Sequence, residues 1–221
     1  LYTTLAADVL ARYYRGKLGK ENVFFQTGTD EHGQKIAEYA EKAGLEPKAF
    51  ADSVVPQFEE AFKAADISYD HFFRTTDPRH EKVIHEVFQK IYDAGYIYKG
   101  TYEGLYCVGC EKFITDSEMV DGRCPHHPNV DLIQQKEENY FFKLKEFAPR
   151  LKEAIAKSEY KILPKKRENE ILARLDDVED VSISRESVAW GIPIPWDTDH
   201  TFYVWVEALF NYYTSTQFLP G

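Results

Sequence analysis

Apolar and polar positions recur along this chain with two different periods, and the periods separate helices from strands. Leu5, Val9, Leu10 and Tyr13 fall at helical spacing, which predicts a helix over Thr3–Arg15 that Gly16 ends. The apolar run within Asn22–Thr27 reads as a buried strand, and the polar loop Gly28-Thr-Asp-Glu-His-Gly33 follows it directly. Ile36, Ala37 and Tyr39 then open a further helix. Helices are predicted over Pro47–Ala65 and Pro78–Ala94, the second with Asp77 as N-cap, Pro78 at its first position, the stripe Val83, Val87, Ile91, and Gly95 as stop. Tyr69–Arg74 between them reads as a short strand. Helix and strand in alternation describe an α/β layer with a parallel sheet, and the Gly28–Gly33 loop lies at a strand's carboxyl end, where such sheets bind ligands.

From Tyr96 the pattern breaks. Gly, Tyr and Cys alternate with charged residues through Asp131, which describes an insertion rather than more of the layer. The expected organisation is 1–95 for the first part of the layered domain, 96–176 for the insertion and 177–221 for the return. Inside the insertion, Glu137–Leu144 looks like a returning strand, and Leu144, Phe147, Leu151 and Ile155 share one helix face. The run Lys165–Glu170 reads as a solvated helix face. Beyond Asp177, Val178–Ile183 is strand-like, and Trp190-Gly-Ile-Pro-Ile-Pro195 excludes a helix. Trp205, Ala208, Leu209 and Tyr212 recur at helical spacing, a stripe that on periodicity reads as core. No initiator Met precedes Leu1 and the opening already reads as helix interior, so a preceding segment is expected.

Composition narrows the functional classes. The 221 residues are 43% hydrophobic, with Phe 15 and Tyr 15, ample for a core. A formal charge of -10 argues against nonspecific affinity for phosphate backbones, so any nucleic-acid contact is local. The sequence holds neither an apolar stretch of membrane-spanning length nor a signal-peptide pattern. An odd number of cysteines, Cys 3, fits a metal site in a reducing, cytoplasmic compartment better than disulfides.

Cys107-Val-Gly-Cys110 and Cys124-Pro-His-His127 carry the clearest chemistry. Each pair leaves two residues between its ligands, so a tight turn can aim both side chains at one point, and the thirteen residues between Cys110 and Cys124 suit a hairpin return. Three thiolates and one imidazole fill a tetrahedral zinc shell and leave no position for an activated water, which makes the zinc structural. His127 preserves the spacing, with His126 as the alternative, and three reduced thiols without metal are the competing reading.

Thr27-Gly-Thr-Asp30-Glu-His32-Gly33, Ile183-Ser-Arg185, Trp190-Gly-Ile-Pro-Ile-Pro195 and His200-Thr-Phe-Tyr-Val-Trp205-Val-Glu-Ala208-Leu, in this order around the knuckle, closely resemble the methionyl-tRNA synthetases, a class I aminoacyl-tRNA synthetase family. The resemblance spans nearly the whole chain. It implies a Rossmann-like parallel-sheet catalytic core, a connective-peptide insertion with a zinc knuckle near 105–130, and a return that carries the amino-acid pocket helix. The family's His-x-Gly-His and Lys-Met-Ser-Lys-Ser signatures and its anticodon-binding domain fall outside these residues, so the isolated piece is expected to be inactive. The Thr-Asp-Glu-His-Gly loop, the Tyr-Val-Trp-Val-Glu-Ala-Leu stretch and the 90 positions from Gly95 to Arg185, too few for an editing domain as well, favour methionine over leucine-group siblings.

The implied reaction condenses methionine with ATP, carried with Mg2+, to methionyl-adenylate, then passes the methionyl group to tRNA(Met). The resemblance assigns Asp30 to the substrate ammonium and Arg185 to a partner that keeps Asp30 ionised. It assigns Trp205, Ala208, Leu209 and Tyr212 to the side-chain pocket, although many family members carry Pro where Leu209 stands. From local sequence, Asp30 reads equally well as a helix cap, and Glu31 and His32 belong to the same loop with no proton-transfer role for His32. A zinc-knuckle binding module on an α/β scaffold and a leucine-group synthetase are the alternatives.

Overall fold

The computed structural model describes residues 1–110, 112–114 and 118–217. Its elements run α1 (Tyr2–Leu18), β1 (Gln26–Thr29), α2 (Gln34–Ala43), α3 (Pro47–Ala64), β2 (His71–Arg74), α4 (Pro78–Asp93), β3 (Ile97–Cys107), β4 (Lys112–Ile114), β5 (Ile133–Phe142), α5 (Leu144–Ala156) and α6 (Lys165–Arg174). The short strands β6 (Val181–Ser182), β7 (Ser184–Arg185), β8 (Pro193–Ile194) and β9 (Asp197–Phe202) follow, then α7 (Val204–Leu209) and α8 (Asn211–Thr216). The chain divides into two compact units, the first made of Leu1–Glu86, Val188–Ile194 and the residues from Thr201 on, the second of Val87–Ser187 and Pro195–His200.

In the first unit β1 and β2 pair in parallel, from Gln26 opposite His71 to Thr29 opposite Arg74. Parallel partners need a long crossover, which α2 and α3 supply. The pairing is close enough that a Cβ on Gly28 would sit 1.9 Å from the Phe73 carbonyl oxygen, so only glycine fits there. Phe25, Phe62, Ile67 and Ala11 form the core of this region, with Tyr69 and Phe72 packed against it. Asp77 caps α4 as the sequence predicts, accepting from Arg79 N at 2.8 Å.

Two expectations for the opening are corrected. The first helix runs through Gly16 to Leu18, and Gly19 ends it with φ 91. A glycine inside a helix costs only about 1 kcal/mol relative to alanine, too little to stop a turn whose hydrogen bonds close. The strand begins at Gln26 instead of Asn22, because Lys20–Asn22 make a 3-10 turn and partner register with β2 starts only at His71. The apolar stripe of α1 is also turned outward: Leu5, Val9, Leu10 and Tyr13 are exposed while Asp8 and Ala11 are buried. Polar bonds anchor the helix, with Asp8 Oδ1 accepting from Ser68 N at 2.7 Å and from Ser68 Oγ at 2.6 Å.

The second unit is built on antiparallel pairing. β3 and β5 run side by side from Ile97 opposite Phe142 to Tyr106 opposite Ile133, and β4 and β6 flank them in the order β4-β3-β5-β6. Phe147 of α5 stacks on Phe142 at 5.1 Å between ring centroids, and α6 buries none of its residues, as its charge run predicts. No helix among the described residues is long and apolar enough to cross a membrane.

Candidate active site and metal centre

The loop after β1 is held by its second residue. The Glu31 side chain is 3% exposed and accepts from Arg74 Nε at 2.6 Å, Arg74 Nη2 at 2.8 Å and Thr29 Oγ1 at 2.6 Å, and also from Thr76 Oγ1. Burial pushes its pKa up, but the hydrogen bonds from Arg74, Thr29 and Thr76 outweigh burial and hold it below the usual glutamate range. The main chain is tied as well, with Glu31 N donating to Thr75 Oγ1 at 2.9 Å.

Asp30 therefore stands on a braced loop. It does not cap α2, whose N-cap is Gly33 with no side-chain cap bond, so its carboxylate is left to other work. The side chain keeps a solvent-accessible face. Dense packing on its other side raises its pKa, the charges of Glu207 and Glu31 raise it further, and His80 and His32 oppose them.

Behind the loop lies a buried polar cluster. Glu207, 0% exposed, accepts from His32 Nδ1 through Oε1 at 3.0 Å and from His80 Nε2 through Oε2 at 3.0 Å. Thr214 Oγ1 is 2.8 Å from His80 Nδ1. Glu207 comes from α7, where Ala208 is buried while Trp205 and Leu209 are exposed. Helix geometry breaks at Phe210, between α7 and α8, and Tyr212 emerges 70% exposed. Asp30 and Tyr212 line a common cleft of about 430 Å³ with Gln26, Gly28, Thr4 and Asn211, whereas Trp205, Ala208 and Leu209 are not among its lining residues.

Arg185 belongs to the second unit, at the end of β7. It is buried, and its Nη1 donates to Ser182 Oγ at 2.9 Å and to Ser184 O at 2.6 Å. Sequence reading did not single out Glu207, His80 or Arg74. Their signal is faint: an acid inside the apolar run Val204-Trp-Val-Glu-Ala-Leu209, and a histidine in the first turns of α4.

The metal candidates converge. The ligand atoms of Cys107, Cys110, Cys124 and His127 all lie within 4.8 Å of one another, with Cys110 Sγ 3.4 Å from Cys124 Sγ and His127 Nδ1 3.8 Å from Cys107 Sγ. Bond lengths of about 2.3 Å to sulfur in a tetrahedron place neighbouring donors roughly 3.6–3.8 Å apart, so the cluster has the size of a metal shell. His127 turns into it, whereas His126 is exposed. Gly109 makes room, since a Cβ there would meet the His127 ring at 2.5 Å. Burial and the neighbouring thiols push Cys110 up to about 12. Burial also acts to raise Cys124, but hydrogen bonds from Cys110 and the backbone of His126 and His127 bring it down to about 6. A divalent cation is the species that would let all three sulfurs be thiolates together.

The family model described as tRNA synthetases class I (M) matches residues 1–132 and 127–220. A methionine–tRNA ligase of Clostridium tetani is 46% identical over 216 residues, covering 97% of this chain and 33% of that protein. The methionine–tRNA ligase of Caldanaerobacter subterraneus subsp. tengcongensis is 43% identical over 219 residues, covering 99% of this chain and 34% of its own length. The chain thus spans about a third of the length of these relatives. Among solved structures, Mycobacterium tuberculosis methionyl-tRNA synthetase bound by methionyl-adenylate superposes with a TM-score of 0.86 at 36% identity, covering 98% of this chain and 43% of that one.

Proposed function

The chain belongs to the class I (M) tRNA synthetases, and from that premise we propose that it is part of the catalytic core of a methionine–tRNA ligase. The observation that carries the reading is the likeness, over 98% of the chain, to a synthetase whose structure holds methionyl-adenylate. The presence of Asp30 and Tyr212 in one cleft supports it.

In the proposed reaction the methionine carboxylate oxygen attacks the α-phosphorus of ATP, the bond to the β,γ-phosphates breaks, and pyrophosphate leaves with its electron pair. A terminal ribose hydroxyl of tRNA(Met) would then attack the methionyl carbonyl carbon and lose its proton, the acyl–phosphate bond breaking so that AMP leaves with the electron pair. Such a displacement needs positioning and charge stabilisation more than covalent help from the protein. Asp30 would take the substrate ammonium in a charge-assisted hydrogen bond and so aim the carboxylate. Arg185 would supply the guanidinium that keeps Asp30 ionised. Trp205, Ala208, Leu209 and Tyr212 would receive the thioether, which gains from aromatic contact and shape.

Cys107, Cys110, Cys124 and His127 would hold a zinc ion that cross-links two turns and takes no part in the chemistry. Mg2+ would enter with ATP as part of the substrate. The same reading assigns 1–95 and 177–221 to the catalytic domain and 96–176 to the connective insertion, with the whole enzyme working in the cytoplasm. The test is amino-acid-dependent exchange of pyrophosphate into ATP by the intact protein that carries these residues. Exchange is expected with methionine and not with leucine. Leucine-dependent exchange, or none with either amino acid, would overturn the reading.

A further inference from the structure

We infer that Glu207 is a positioning residue that sets the distance between the two ends of the amino-acid site, acting through His32 and His80. The inference deepens the proposed function and rests on it for its kinetic arm. Both Glu207 oxygens face a ring nitrogen, His32 Nδ1 and His80 Nε2, each at 3.0 Å, and a carboxylate oxygen accepts from a ring that presents its N–H. One side chain thereby joins three elements: the Asp30 loop through His32, α4 through His80, and α7, which carries Glu207 itself. Thr214 of α8 closes the chain of bonds at His80 Nδ1.

Asp30 and Trp205 each stand two residues from a member of this cluster, Asp30 from His32 and Trp205 from Glu207. The ammonium end and the thioether end of the proposed site therefore share a single bracket. Glu207 and Thr214 are 0% exposed, as is His80, so water cannot substitute for a lost bond. The charged or titratable groups around it are His32, His80, Asp30 and, through Asp30, Glu31. Glu207 touches no reacting atom in this scheme. It acts by holding the residues that do.

The test uses Glu207→Gln, His32→Ala and His32→Asn in the intact protein. Asparagine places its Nδ2 where the histidine Nδ1 stands and keeps the donor to Glu207, which makes it the conservative rescue if Glu207→Gln fails to fold. Methionine KM is expected to rise at least tenfold in Glu207→Gln and His32→Ala, with ATP KM within twofold and His32→Asn close to wild type. Equal rises for both substrates, or no rescue by asparagine, would refute the bracket. A second arm labels tryptophan with fluorine. Trp190, beside His32 at 5.1 Å between rings, and Trp205 should both shift in Glu207→Gln and in His32→Ala, while Trp196 of the other unit stays put. If wild type shows no methionine-dependent exchange, the functional reading falls, and unmoved Trp190 and Trp205 signals would then overturn the bracket by themselves.

Discussion

Trp190 and Glu31 are joined by a 2.6 Å hydrogen bond from the indole Nε1 to the glutamate main-chain oxygen, although 159 positions separate them. The exchange is mutual at the level of the loop, because Gly33 N donates to Trp190 O at 2.9 Å. The Trp-Gly-x-Pro segment is therefore the clasp of the Asp-Glu-His-Gly loop, which gives a physical reason for finding the two patterns in one chain.

Trp190→Phe keeps the ring beside His32 and deletes the donor. We expect a loss of about 1–2 kcal/mol in stability, the scale of one hydrogen bond whose acceptor is left poorly solvated. Amide hydrogen exchange at Gly33 should quicken in the same variant. Unchanged protection at that amide would mean the clasp contributes nothing to the loop.

The Glu31–Arg74 pair makes a stronger and pH-dependent claim. Arg74→Met leaves a buried carboxylate without its cation, a class of change that costs about 3–5 kcal/mol when both groups are buried. Arg74 is 27% exposed and also pairs with Asp52 at 2.6 Å, so about 2–3 kcal/mol is the expected loss at neutral pH. The folded pKa of Glu31 lies below its ordinary value, so the stabilisation is present above the unfolded glutamate range and lost as pH falls through the folded value. Urea denaturation of wild type and variant should therefore differ at neutral pH and converge in acid. A gap that persists unchanged in acid would assign the effect to packing.

The sequence made the chemistry-bearing loops legible and left their supports obscure, for a physical reason. Cys107, Cys110, Cys124 and His127 are close in the chain, so their spacing constrains where the side chains can meet, and the structure brings them together. Asp30 does follow a strand directly, but that strand is the polar Gln26–Thr29 and not the apolar run before it, which lies outside the pairing with β2. Glu207 and His80 lie 127 positions apart, and nothing in either local pattern says that one will bury itself against the other. The outward stripe of α1 shows the converse limit: periodicity fixes that Leu5, Val9 and Tyr13 lie along a helix but not which side packs, and here the buried positions are Ala11 and Asp8, the latter bonded to Ser68.

The metal reading separates cleanly by ligand. We expect one zinc per chain, retained in His126→Ala and lost or greatly weakened in His127→Ala and in Cys124→Ser, as measured by elemental analysis of purified protein. Gly109→Ala is a subtler probe, because its new methyl group would displace the His127 ring without removing a donor. A fall in zinc affinity of about 10–100-fold is the scale of disturbed ligand support. Full zinc binding in His127→Ala together with its loss in His126→Ala would reverse the assignment.

Asp30 offers a prediction in which stability and function move in opposite directions. Its folded pKa is raised by burial and by the nearby negative charge of Glu207, so the folded state holds its proton more tightly than the unfolded chain does. Stability from this group is therefore fully present below the unfolded aspartate pKa and is lost as pH rises through the folded value. Asp30→Asn removes that penalty, and thermal melting at neutral pH should show a variant no less stable than wild type. Methionine binding should do the reverse, weakening about 10–100-fold as a charge-assisted hydrogen bond of roughly 1.5–3 kcal/mol is lost. The wild-type affinity should itself decline as pH falls through the raised Asp30 pKa, and Asp30→Asn should lack that decline. A residue that merely completed the fold would lose stability and affinity together, so a destabilised Asp30→Asn with unaltered methionine affinity would remove Asp30 from the site.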